Sequence, residues 1–246
     1  MKIKFKSLNF LIFIIVIFII CLTINSQEEN MVLIPAGEFI MGSNTGFSNE
    51  VPERKVYVKA FYIDKYEVSN IDYKKFIDAT GYPAPKHWNN NMYAAGEDNY
   101  PVVNISYYDA VAYAKYVGKR LPTEEEWEKA ARFTDGRRYP WGNEWNKTKC
   151  NTYVYLANNG PKPVNSYPEG KSMYGCYNMS GNVWEWTSTY YKLVKENDSF
   201  LNKKYIVVKG GSWLKLGNVA RCSVRDGLPP NEGYADVGFR CVKDIP

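Results

Sequence analysis

Three helix-start signals fall within the first 133 residues of this 246-residue chain, and the remainder carries little of the periodicity that regular elements need. Ser69 with Asp72, Ser106 with Asp109 and Thr123 with Glu126 each set a hydroxyl three positions ahead of an acid. At that spacing both side chains can satisfy unpaired backbone N–H groups of a first helical turn. Apolar stripes follow each signal: Ile71, Phe76 and Ile77 before Gly81, Ala110, Tyr113, Ala114 and Val117 before Gly118, then Trp127, Ala130 and Ala131. Upstream, the alternation over 31–41 predicts a strand entering a turn at 42–46, and that over 56–63 predicts a second strand. Beyond Phe133 only 205–209 (YIVVK) reads as a strong strand before the terminal GFRCV. So irregular a stretch stays compact only when metals, disulfides or aromatic anchors pin its loops. The chain has 21 tyrosines and seven tryptophans, and no linker, repeat or low-complexity tract divides it. These features predict a single domain.

Lys2, Lys4 and Lys6 precede an apolar run over 10–22, the n-region and short h-region of a secretory signal. A membrane span needs about 20 apolar residues, so 1–26 is predicted as a signal peptide and 27–246 as the domain. The chain is expected to be exported to the periplasm, the cell envelope or the exterior. Contact with a membrane would come only through an uncleaved N-terminus or a lipidated Cys21, and Phe18, Ile19 and Ile20 lack the small residue that such processing favours. Removing 1–26 lowers the formal charge from +5 to +2, because the segment holds three lysines and no acids. A nearly neutral domain with interleaved signs has no electrostatic footprint for nucleic acid.

Four cysteines then remain: Cys150, Cys176, Cys222 and Cys241. In an oxidising compartment an even count predicts disulfides, with three connectivities available. The pairing expected here is Cys150 with Cys222 and Cys176 with Cys241, against the alternative of four buried thiols. With no CxxC pair and His87 as the only histidine, a zinc site is not expected.

Five motifs stand in fixed order: 120–127 (RLPTEEEW), 139–142 (YPWG), 181–187 (GNVWEWT), 210–213 (GGSW) and 238–241 (GFRC). Together with 31–43 (MVLIPAGEFIMGS), they resemble the formylglycine-generating enzyme family, also called sulfatase-modifying factors, over nearly the whole mature chain. The resemblance implies an α+β fold of the C-type-lectin-like type, a single loop-rich domain with little regular secondary structure. It also implies calcium, a structural ion held by the Asn178 side chain, the Gly181 and Val183 carbonyls and the Glu185 carboxylate. A second calcium would use Asn151 and Thr152, although the aspartate that completes that site in relatives is missing between Asn151 and Asn178.

Catalytic members carry one cysteine three residues after the serine of GGS and another five residues on, positions held here by Lys215 and Ala220. Those thiolates bind copper, a task for soft sulfur donors that neither lysine nor alanine can perform. Copper is therefore not expected, and Cys222 is the one nearby fallback. The expected function is a noncatalytic, exported member of the family that binds a peptide, protein or glycan. Its cleft would be floored by 210–240, with Ser212, Trp213, Lys215, Arg221, Arg225 and Arg240 around it and Lys215 and Ala220 at its mouth. The alternatives are an active oxidase converting a sulfatase cysteine to formylglycine and a cell-envelope structural or motility component. Glu124, Glu125 and Glu126 are explained by helix capping rather than by acid–base chemistry.

Overall fold

The three predicted helices begin where the hydroxyl and acid pairs place them. In the structure, a computed structural model that describes residues 30–153, 160–191 and 205–245, α1 is Asn70–Thr80, α2 is Tyr107–Tyr116 and α3 is Glu124–Arg132. The Ser106 and Thr123 hydroxyls accept from the Asp109 and Glu126 N–H groups, and both acids accept in return from the cap N–H groups. The Ser69 hydroxyl accepts from Asp72 N–H, and left-handed Gly81 closes α1 by donating its N–H to the Ile77 carbonyl. Each such N-cap contributes about 1 kcal/mol. The predicted signal peptide 1–26 and Cys21 lie outside the described residues.

Nine strands form three sheets among the described residues: β1 Met31–Ile34, β2 Gly37–Met41, β3 Arg54–Val58, β4 Phe61–Asp64, β5 Trp184–Tyr190, β6 Ile206–Lys209, β7 Arg225–Leu228, β8 Val237–Gly238 and β9 Val242–Asp244. The two strands predicted over 31–41 and 56–63 are each cut in two, and their halves serve different sheets. β2 pairs antiparallel with β3, whereas β1, β4 and β9 form a separate sheet in that order. Pro35, which has no N–H to give a ladder, sits at the first break.

The third sheet runs β7-β6-β5-β8, and β5 at its interior is the strand that periodicity missed. Trp184, Glu185, Trp186 and Thr187 alternate apolar and polar residues, yet all four are buried, with Glu185 accepting from Arg240 and Thr187 Oγ1 donating to the Val207 carbonyl. β7 reads RDGL and lacks β-forming residues; its place comes from antiparallel pairing with β6, from Ile206 opposite Leu228 to Lys209 opposite Arg225.

Val32–Pro246 forms one compact unit with two apolar clusters. In the first, α1 and α2 pack Tyr73 on Tyr113 with ring centroids 5.6 Å apart, and Phe76, Trp88, Phe239 and Trp186 close around them. The second joins Trp127, Ala130 and Ala131 of α3 to Ile34, Phe39, Phe61 and Ile63. A buried tryptophan hides roughly 200 Å², an upper bound of about 5 kcal/mol each at 25 cal/mol per Å². Aromatic anchors therefore supply the pinning that so loop-rich a chain requires.

Disulfides do not contribute to that pinning. Cys150, Cys176, Cys222 and Cys241 are all free and buried, which corrects the expected pairing. Cys241 packs in the first cluster, and Cys176 and Cys222 in the second. Each acts as a small apolar side chain.

Candidate functional site

Arg240, in the GFRC segment, is fully buried. Its Nε and Nη2 donate to Glu185 Oε2 and Oε1, each at 2.7 Å. Nη2 also donates to the Tyr177 carbonyl at 2.8 Å, and Nη1 to the carbonyls of Asp64 and Lys65 at 3.2 and 3.1 Å. Trp127 Nε1 adds a third hydrogen bond to Glu185, at 2.7 Å. Every N–H of the guanidinium is thus spent inside the protein. Arg240 ties the third sheet to the loops after β4 and before β5, and it lines no ligand cleft, contrary to expectation.

Beside this pair lies the polar cluster from which a calcium site would be built. Asn178 Nδ2 donates to Glu67 Oε2 at 2.8 Å and to the Val164 carbonyl at 3.1 Å. Asn182 Nδ2 donates to the other Glu67 oxygen, at 2.8 Å. Burial pushes the Glu67 carboxyl up to about 8, the nearby Arg240 pulls it down, and Glu185 raises it further. Asn178 Oδ1 is buried with no donor, and Glu185 accepts three hydrogen bonds where a carboxylate can take about four. An open amide oxygen and residual carboxylate capacity fit a hard, oxygen-seeking cation. Gly181 turns here at φ +76°, and a Cβ would come within 2.2 Å of the Asn151 carbonyl oxygen.

Asn151 itself is a strut: its Nδ2 donates to the Gly160 carbonyl at 2.9 Å and to Asn182 Oδ1 at 3.1 Å.

Segment 210–222 is fastened mainly through its backbone. Gly211 takes φ +74° with the Val219 carbonyl oxygen 3.0 Å from where a Cβ would stand. Ser212 Oγ donates to Asp236 at 2.7 Å. Trp213 N–H reaches the Asn182 carbonyl at 2.9 Å, Lys215 N–H the Ser212 carbonyl at 3.0 Å, and the Lys215 carbonyl accepts from Tyr153 N–H at 2.9 Å. The Ala220 carbonyl accepts from the Ser180 hydroxyl at 2.6 Å. Ala220 is fully buried and Lys215 only half-buried, so the two do not share a cleft mouth; this too is a correction.

Cys222 follows within the second core cluster, and burial pushes its thiol up to about 12. Burial likewise raises Cys150 to about 12 and Cys176 to about 11. At neutral pH these groups are thiols, the unreactive form.

Arg221 is bonded to Glu50 and lies 4.9 Å over the Phe47 ring. Arg225 is bonded to Glu124 at 2.7 Å and lies 4.9 Å over Tyr191. Each of the three arginines expected around a ligand is therefore bound to a carboxylate of its own chain. Glu124 and Glu126 are likewise paired, the latter with Arg120 at 2.7 Å, and Glu126 also closes the predicted cap of α3.

Segment 210–222 turns two leucines outward, together with the polar Asn218 and the half-exposed Lys215. Leu216 is 60 % exposed and Leu214 44 %, with Trp145 at 41 % and Tyr153 at 38 % nearby. Trp145 presses on Gly217, where a Cβ would meet its ring at 2.3 Å, and Trp141 stacks on Tyr139 behind it. The cleft floor expected over 210–240 did not single out these leucines. The available signal was the pair of leucines flanking Lys215 between glycines.

The sulfatase-modifying factor enzyme 1-like domain matches residues 23–245. The chain is 33 % identical to the formylglycine-generating enzyme of Mus musculus, over 87 % of this chain and 75 % of that protein. It is 31 % identical to the inactive C-alpha-formylglycine-generating enzyme 2 of Bos taurus, over 89 % of each. YfmG of Bacillus subtilis (strain 168) is 34 % identical over 90 % of the chain, which spans only 55 % of YfmG. Among solved structures, PvdO from Pseudomonas aeruginosa matches with a TM-score of 0.73 at 25 % identity, covering 87 % of this chain and 94 % of PvdO. With its motifs in order and the domain matched across the described fold, the chain belongs to the formylglycine-generating enzyme, or sulfatase-modifying factor, family.

Proposed function

We propose that the chain is an exported, noncatalytic member of this family that binds a peptide or protein through the apolar surface of Leu214, Leu216, Trp145 and Tyr153. One observation carries the reading. Lys215 and Ala220 stand at the two positions where catalytic relatives use cysteine, and the neighbouring Cys222 is enclosed and held as a neutral thiol. Similarity to both an active and an inactive mammalian relative at nearly equal identity leaves the decision to these residues. Exposed aliphatic side chains set beside aromatic ones favour an apolar peptide segment over a glycan. Calcium belongs to the proposal as a structural ion held by Asn178 Oδ1 and Glu185 with the Gly181 and Val183 carbonyls; it would brace the loops and take no part in chemistry.

The test of catalysis is incubation with copper, oxygen and a Cys-Xaa-Pro-Xaa-Arg peptide, followed by mass spectrometry for an aldehyde in place of the thiol. No aldehyde is expected. Turnover that disappears in Cys222→Ser would sink the noncatalytic reading. For the surface, peptide-library selection should enrich apolar sequences on the natural protein and lose that enrichment on Leu216→Asp. Equal enrichment on both proteins removes this surface from the proposal.

A further inference from the structure

A second open surface is the outer edge of β3. β2 and β3 form a two-stranded sheet of their own, so among the described residues no strand pairs with the other side of β3. Glu53, Arg54, Lys55, Tyr57 and Lys59 are exposed there, Tyr57 to 64 %, while Val56 and Val58 pack on the second core cluster. Main-chain N–H and C=O groups along such an edge are a template for another strand. Charged side chains repel strands that do not match, so the edge accepts a partner that answers each of its charges.

The sequence over 53–59 (ERKVYVK) answers itself when reversed. With a two-fold axis through Val56, an antiparallel second copy sets Glu53 opposite Lys59, Arg54 opposite Val58, Lys55 opposite Tyr57 and Val56 opposite Val56. By symmetry each unlike pair occurs twice. Opposite charges facing across two strands stabilise the pairing, and like charges facing there weaken it. Neither Glu53 nor Lys59 has an ion-pair partner among the described residues. Asp244, which Lys59 influences weakly, is already bonded to Arg120 at 3.1 Å. Lys55 would lie across the Tyr57 ring of the second copy, and Glu38, 4.0 Å from Lys55 in its own chain, offsets the charge.

Moving the axis by one residue destroys the match. Centred on Lys55 it sets lysine against lysine, and centred on Tyr57 it sets Lys55 against Lys59. An axis between two residues is excluded, because residues opposed across identical edges must point their N–H groups the same way. Charge thus selects one register.

We propose that this chain pairs with a second copy of itself through β3, the two ribbons joining as one sheet in the order β2-β3-β3-β2. The pair is closed, since it consumes both free β3 edges and leaves none through which to grow. It does not depend on the apolar surface binding a peptide.

The experiment is sedimentation equilibrium of the full chain, with hydrogen exchange of residues 53–59 followed against concentration. The natural protein should dimerise at or below about 500 µM, and the β3 amides should gain protection as it does. Glu53→Lys and Lys59→Glu each set like charges opposite one another, and each should weaken dimerisation by about tenfold or more. The double exchange restores two opposite pairs and should return the affinity to within about threefold of the natural value. Both positions are exposed, so tryptophan fluorescence should be unchanged in all three variants. The proposal is overturned if the natural chain is monomeric at that concentration, if the single variants dimerise as well as it does, or if the double exchange stays as weak as the singles. A monomer whose β3 amides are protected only by an added extended peptide would give the edge to another partner and overturn self-pairing as well.

Discussion

Replacing Arg240 by lysine keeps the charge and roughly the length of the side chain, yet it should be among the most damaging conservative changes in this protein. The guanidinium satisfies both Glu185 oxygens and the carbonyls of Asp64, Lys65 and Tyr177. An ammonium has three donors where the guanidinium has five, so at least two of these contacts must go. A buried acceptor left without its donor costs about 1–3 kcal/mol, giving a loss of about 2–6 kcal/mol. For a domain of this size about 1 kcal/mol moves the midpoint by roughly 2–4 °C, so Tm should fall by roughly 5–20 °C. Arg240→Met should do worse, because Glu185 would then be a buried charge with no partner, a situation worth about 3–5 kcal/mol by itself. Converting Glu185 to leucine in the same chain should recover part of that loss. The assay is urea unfolding followed by tryptophan fluorescence and far-ultraviolet circular dichroism, with EGTA present so that no cation masks the Glu185 charge. A stability of Arg240→Lys within about 1 kcal/mol of the natural protein would refute the claim that the five-donor fork holds this centre together.

Three further outcomes follow from the described geometry. The four cysteines of the folded domain should resist thiol reagents until the protein unfolds, and reductant should leave Tm unchanged, whereas loss of a native disulfide would cost about 2–5 kcal/mol. Calcium should raise Tm and EGTA reverse the rise, with Asn178→Gly abolishing the difference; an unchanged Tm in the natural protein removes the cation from the account. Acid should destabilise the protein partly through Glu128, where burial raises the pKa but Lys209 and Arg132 outweigh it, so the folded value lies below 4.5. A depressed folded pKa means that the unfolded chain binds the proton first. That stabilisation is complete above about 4.5 and is lost as pH falls through the folded value, and the slope of stability against pH there should flatten in Glu128→Gln.

Local signals in the sequence carried the helices. Ser69, Ser106 and Thr123 act within one turn of their own positions, so their caps could be read without knowing the fold. The central strand β5 was not read as a strand, because its alternation spans only Trp184–Thr187 and those residues stand out as a motif instead. β7 exists only through its partner, and no property of Arg225, Asp226 or Gly227 announces a strand. The family was legible from five motifs, and the loss of the cysteine pair from two positions. Where the site was misjudged, the cause was long-range pairing. Arg221, Arg225 and Arg240 could not be matched to their carboxylates because Glu50, Glu124 and Glu185 lie 171, 101 and 55 residues away. Ala220 looked accessible because the Ser180 hydroxyl that helps fix it comes from another loop.

The fastening of segment 210–222 has a consequence for how this protein could change over generations or at the bench. The bonds at Trp213, Lys215 and Ala220 use main-chain atoms, which every amino acid except proline supplies in full. The exposed side chains at 214, 216 and 218 therefore lie on a path whose course does not depend on what they are. New surface chemistry can be written at those three positions while the frame beneath is read from elsewhere, which makes the segment a natural place for a combinatorial library.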